Sequence, residues 1–124
     1  MLPRRVIDSV FTPEGRELLL VQHGDAFHLE VAGEELMSSR MHGSEEALAE
    51  HVVARLAPAA AQAPQLLVGG LGMGYTLRAT LEALGDRPRA VVHVVEVFDA
   101  VVTWNRGPLS HLAGEAAAYD AKVA

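Results

Sequence analysis

Three glycines, Gly70, Gly72 and Gly74, stand at alternate positions directly after the apolar run Gln65-Leu66-Leu67-Val68. Lacking Cβ atoms, they let the backbone turn tightly and let a ligand approach it closely, with the N–H groups of a following helix aimed at that ligand. Glu96 comes 22 residues after Gly74, at the end of the next apolar run, Ala90–Val95. A carboxylate at such a strand end can accept hydrogen bonds from both hydroxyls of a ribose. Together these residues read as a nucleoside-binding crevice at the carboxyl ends of two neighbouring strands. Glycines at a strand-to-helix turn also serve as plain turn chemistry. Three at this spacing, opposite one carboxylate, favour a ligand.

Spacing narrows the nucleoside. The dinucleotide pattern G-x-G-x-x-G needs glycine at position 75 or 77, where Tyr75 and Leu77 stand. That disfavours a nicotinamide-dependent oxidoreductase. There is no G-x-x-x-x-G-K-S/T loop and no G-x-S-x-G elbow, which excludes a P-loop triphosphatase and an α/β-hydrolase nucleophile. G-x-G-x-G followed by an acidic strand end is the form expected for S-adenosylmethionine-type cofactors.

The elements that must position these residues follow from hydropathy and turn chemistry. Arg16–Gln22 and Ala26–Val31 predict a β-hairpin around His23-Gly24-Asp25, with Phe27, Leu29 and Val31 on its buried face and His28 and Glu30 on the other. Ala32-Gly33 is a second turn, leading into a short third strand within Glu35–Ser38. Ser44 reads as the N-cap of a helix reaching Leu56, with Glu45 and Glu46 at the positive end of its dipole. Leu48, Val52, Val53 and Leu56 define its inner face, and Pro58 ends it. After an Ala/Pro connector to Pro64 come the first apolar strand, the glycine loop and a helix striped by Leu77, Leu81 and Leu84 and closed by Gly85. Ala90–Val95 predicts a parallel strand buried on both faces, and Phe98–Trp104 another helix. The order is strand, loop, helix, strand, acid, helix: a βαβ unit of an α/β fold. The alanine-rich tail Glu115–Ala124 adds nothing.

Composition bounds the alternatives. At 124 residues and 13.2 kDa the chain is one domain's worth, with 50 % hydrophobic and 21 % charged residues, so it is globular rather than disordered. The net charge of −6, with Lys122 the one lysine, argues against nucleic-acid binding. The absence of cysteine excludes disulfides, thiolate metal ligands and a cysteine nucleophile. No apolar run approaches a membrane span and no signal peptide opens the chain, so the expected location is cytoplasmic. The six histidines are scattered; His42 and His51 miss the i, i+4 spacing of helix ligands, and no metal is expected.

The strings LVGGLGMGYTLRA (residues 67–79) and VVEV (94–97), with LMSSRMHGSEEALA (36–49) upstream, resemble the spermidine synthase-like family of class I S-adenosylmethionine-dependent methyltransferase-fold proteins. The resemblance covers roughly Leu18 to Arg106. It implies a small antiparallel β-hairpin element over residues 1–43, then the start of a Rossmann-like cofactor-binding domain with an incomplete parallel sheet over 44–124. It implies S-adenosylmethionine or its decarboxylated form as cofactor, and transfer of an aminopropyl or methyl group to a small-molecule substrate such as a polyamine or another amine. It leaves a homodimer open. Gly70, Gly72 and Gly74 would line the adenosyl and amino-acid portion, Glu96 would hold the ribose, and Val97 would border the adenine. Met73 stands where the family's loop usually carries an aspartate for the cofactor's amino group, and Met37 where a glutamine is usual. The family's catalytic aspartate follows a fourth parallel strand, which this sequence does not reach. No catalytic residue is therefore assigned, and the expectation is a fragment lacking its general base or a non-catalytic nucleoside-binding module.

Glu45 and Glu46 could face a cationic substrate, although their place in a first helical turn accounts for them as well. Trp104 reads as packing rather than adenine stacking. Tyr75 lies close enough to the loop for either role, and Arg78 is expected in a structural salt bridge. Two parallel strands with few helices also leave apolar surface at the edge of the strand beginning at Gln65.

Overall fold

The computed structural model describes residues 3–58 and 62–113. The expected tail at Glu115–Ala124 and part of the Ala/Pro connector lie outside the described residues. The chain divides between His42 and Gly43 into two units.

The first unit is a four-stranded antiparallel sheet in the order β1-β2-β3-β4. Its strands are β1 (Arg4–Phe11), β2 (Glu17–His23), β3 (Ala26–Val31) and β4 (Glu34–Ser38). In the register, Leu20 lies opposite Leu29 and Gln22 opposite Phe27. Phe27 and Leu29 are buried as the alternation predicts, together with Leu18 and Leu20 of β2, but Val31 is half-buried, and Val21 and Ala26, on the opposite parity, are buried as well. The turn between β3 and β4 uses Ala32 and Gly33 at φ +51° and +82°, the double left-handed pattern of a type I′ turn, whose twist matches the strands it joins. Edge strand β1 is the element the hydropathy pattern missed. Its residues are largely exposed, so it carries no inward stripe. Its cue was the Thr12-to-Gly15 turn, closed by the Gly15 N–H donating to the Thr12 carbonyl (2.9 Å) and the Arg16 N–H donating to Thr12 Oγ1 (3.1 Å). Across the sheet, Glu30 accepts from Arg4 Nη2 (2.8 Å) and stands 2.6 Å from His28 Nε2.

The second unit contains α1 (Gly43–Val53), β5 (Gln65–Gly69), α2 (Tyr75–Leu84), β6 (Val91–Val95), α3 (Asp99–Asn105) and the short α4 (Ser110–Ala113). Strands β5 and β6 pair in parallel, from Gln65 opposite Val91 to Gly69 opposite Val95. Helix α1 packs along α2. Among the described residues no helix is long and apolar enough to cross a membrane.

The fold differs from the expected Rossmann-like class I methyltransferase architecture in both halves. The N-terminal element is a sheet of four antiparallel strands rather than a hairpin. The parallel part has two strands among the described residues, a sheet that is Rossmann-like only in its single strand–loop–helix–strand unit. The physical reason shows in β6. Its continuous Val-rich run predicts a strand buried on both faces, but its residues alternate between exposed and half-buried, with Val91 43 % and Val95 57 % exposed and His93 exposed as well. Burial on both faces requires covering elements and flanking strands, and among the described residues β6 has one partner strand. β-branched composition specifies an extended backbone but cannot supply the neighbours.

Helix α1 also departs from its pattern. It begins at Gly43, so Ser44 lies inside the helix rather than capping it, and the Ser44 hydroxyl donates to Glu45 Oε2 (3.0 Å). It buries Ala49 and Val53 and leaves Leu48 and Val52 exposed. Glu45 and Glu46 do occupy its first turn. Helix α2 buries Leu77 and Leu84 and closes on Gly85, whose N–H donates to the Leu81 carbonyl (3.1 Å), but Leu81 is partly exposed.

Candidate functional site

The glycine loop runs from the end of β5 into α2, and all three of its expected glycines have left-handed φ values: Gly70 +97°, Gly72 +54° and Gly74 +84°. A side chain rarely adopts these angles, so the glycines are required by backbone conformation. At Gly70 a Cβ would meet no atom within 4 Å, so the space in front of this residue is open and the constraint is torsional. Gly74 caps α2 in the left-handed conformation with no side chain to satisfy the first helical N–H groups.

Hydrogen bonds fix the loop's path. The Gly70 N–H continues the strand ladder onto the Val95 carbonyl (2.7 Å), and the Gly74 N–H returns to the Leu71 carbonyl (2.9 Å). Between them, Glu96 reaches over from the end of β6. Its Oε1 accepts from the N–H groups of Leu71 (2.9 Å) and Gly72 (3.3 Å), and its Oε2 from the N–H of Phe98 (3.1 Å). Glu96 is half-buried, and its carboxylate gathers three backbone donors, which makes each a charge-assisted bond. The parallel pairing of Gly69 with Val95 sets this geometry: both strands end level, which places the loop and the carboxylate side by side.

The other expected residues divide. Val97 follows Glu96 and is 79 % exposed, an open apolar surface beside the carboxylate. Met73 is fully buried and belongs to packing, as does Trp104. Arg78 forms an i, i+4 pair with Glu82 (3.0 Å) and donates to the Leu112 carbonyl (3.0 Å), which makes it a link between helices rather than a ligand contact. Tyr75, buried at the start of α2, has its hydroxyl pKa raised above the ordinary 10.0, first by burial; Arg78 pulls it down and Glu46 and Glu45 push it up. Among the described residues no group of three or more His, Asp or Glu side chains could hold a metal ion.

Two features escaped the pattern. A cavity of about 200 Å³ opens beside β5, lined by Leu48 and Val52 of α1, residues 66–70, and Thr76 and Thr80 of α2. It shares Gly70 with the loop but not Glu96. The strand edge there carries Leu67, 69 % exposed. The second is Asn105, the last residue of α3, which is completely buried. Its Nδ2 donates to the Gly72 carbonyl (2.7 Å) and to the Val101 carbonyl (2.8 Å), while its Oδ1 is buried without a hydrogen-bond partner among the described residues. An orphaned acceptor of this kind costs about 1–3 kcal/mol. In sequence, an asparagine before Arg106-Gly107 reads only as a helix end; its reach to Gly72, 33 residues earlier, is a property of the fold.

Compared with known proteins, the chain matches no protein-family model and no curated protein.

Proposed function

We propose that the glycine loop and Glu96 bind the adenosyl part of an S-adenosylmethionine-type cofactor, in its carboxylated or decarboxylated form. The observation that carries this reading is the Glu96 carboxylate beside Leu71 and Gly72, at the carboxyl ends of paired parallel strands, next to three glycines in conformations that side chains disfavour. The open space at Gly70 would admit the cofactor chain, Gly72 and Gly74 would line it, and the exposed Val97 would border the base. A carboxylate offers about four acceptor positions, and three are taken by backbone N–H groups. A ribose diol therefore takes the remaining position and displaces the weakest bond, the 3.3 Å contact from Gly72.

When bound, such a cofactor supplies an activated carbon on its sulfonium for aminopropyl or methyl transfer, as in spermidine synthase-like enzymes, to an amine or other small nucleophile. The chain's own part is to orient that group and to keep the loop rigid while an acceptor approaches. No residue is assigned as general base: three acceptor positions of Glu96 are committed to N–H donors and the fourth to the ribose, which suits holding a ligand and not removing a proton. That observation favours a second reading, a non-catalytic nucleoside-binding module. Calorimetric titration with S-adenosylmethionine, its decarboxylated form and methylthioadenosine tests binding. A product assay with putrescine separates the two readings: binding without product supports the module, and product formation supports the transferase. No heat with any of the three ligands refutes both.

A further inference from the structure

The amide of Asn105 can be oriented in only one way. Two carbonyls, those of Gly72 and Val101, face one end of it, and carbonyl oxygens only accept, so the nitrogen must lie there and the oxygen is left unpaired. A leucine would fill nearly the same volume and remove the orphaned oxygen, but it would leave the Gly72 carbonyl without this donor. The Val101 carbonyl already lies at the i−4 position within α3, so it does not require the asparagine. The Gly72 carbonyl, 33 residues away in the chain, is the partner that sets the asparagine's role. The peptide groups on both sides of this left-handed glycine are thus held by side chains, the N–H side by Glu96 and the carbonyl side by Asn105.

We propose that Asn105 is a positioning residue that holds the glycine loop in its binding conformation, at the expense of an orphaned acceptor beneath it. Its effect on ligand affinity rests on the nucleoside reading above; its effect on the loop does not. Glu96 must give up its weak bond to Gly72 when a ribose diol arrives, and Asn105 then keeps the residue in place from the other side.

The test is Asn105→Leu, followed by amide hydrogen exchange in an ¹⁵N-labelled protein. The variant should melt close to the wild-type temperature, because the orphaned oxygen it removes is offset by the Gly72 carbonyl it leaves without its donor. The amides of Leu71 and Gly72 should nevertheless exchange about tenfold faster, with Val68 inside the β5–β6 ladder unchanged, and methylthioadenosine should bind about tenfold more weakly. Wild-type exchange rates at Leu71 and Gly72, or an equal acceleration at Val68, would overturn the proposal, since a merely structural residue loosens the unit as a whole. Should the variant not fold, the wild type still decides: both Nδ2 protons of Asn105 should be protected, and free exchange of the pair overturns the assignment. If the wild type binds no nucleoside while the loop amides respond as described, the functional reading fails and the positioning role stands.

Discussion

Replacing Glu96 with glutamine tests the carboxylate on which the site depends. The substitution keeps the side chain's shape but removes its charge and turns one acceptor oxygen into a donor. Glu96 accepts three N–H groups, two at good distances (Leu71, 2.9 Å; Phe98, 3.1 Å) and one stretched (Gly72, 3.3 Å). Glutamine can direct its oxygen at Leu71 or at Phe98, and its NH₂ then confronts the other backbone N–H. At least one charge-assisted bond is lost outright and those that survive become neutral ones. Bonds to a charged acceptor contribute about 1.5–3 kcal/mol and neutral ones about 1 kcal/mol, and the half-buried position lets water replace part of the loss, so the net cost is about 2–3 kcal/mol. Trp104 is the one tryptophan, lies in the same unit and is 2 % exposed, so denaturant unfolding followed by its fluorescence reads this cost directly. Nucleoside binding should fall by at least tenfold in the same variant. A Glu96→Gln protein that unfolds within about 0.5 kcal/mol of wild type, with unchanged amide shifts at Leu71 and Phe98, would show that the carboxylate does not hold the loop.

Other substitutions probe the backbone and the one resolved titration. Gly70→Ala adds a methyl group that meets no atom within 4 Å, yet forces alanine to φ +97°; stability should fall by about 1–3 kcal/mol in thermal unfolding, and a smaller loss would mean the loop relaxes freely. Ala32→Gly should act in the opposite direction. Relief of a left-handed alanine at φ +51° gains about 1–2 kcal/mol, glycine's greater unfolded-state entropy takes back about half, and the melting temperature of the sheet unit should rise. Tyr75 ionises in the folded state only above its ordinary 10.0, so it favours folding fully below that pH. As pH rises beyond 10.0 the unfolded chain loses its proton first, and stability falls until the folded-state value is passed. Tyr75→Phe should remove this part of the alkaline decline, measured by unfolding between pH 9 and 12 and by the tyrosinate absorbance difference between the two proteins.

The local pieces were legible where one residue type leaves the backbone a single choice. Gly70, Gly72 and Gly74 mark a loop because left-handed angles need glycine, and all three adopt them. Gly85 closes α2 for a similar reason. The alternation of Phe27 and Leu29 oriented β3, since a strand presents every second side chain to the same face. The pattern misled where burial depends on other elements. Leu48 and Val52 have the spacing of an inner helix face but are exposed, and the valines of β6 have the composition of a central strand but, among the described residues, a single partner strand. Strand β1 was missed because an edge strand with largely exposed residues lacks a hydropathy signature.

By itself, the sequence determined that a glycine loop follows one strand and that an acid ends the next, because conformational permissiveness and charge belong to single residues. Only the tertiary structure decided that Glu96 turns onto the amides of Leu71 and Gly72, that Asn105 reaches the Gly72 carbonyl from below, and that the N-terminal half closes into a four-stranded sheet. These are contacts between residues far apart in the chain. A hydrogen bond across 33 positions exists only once the intervening strand and helix have set its direction, and no property of either residue alone encodes it.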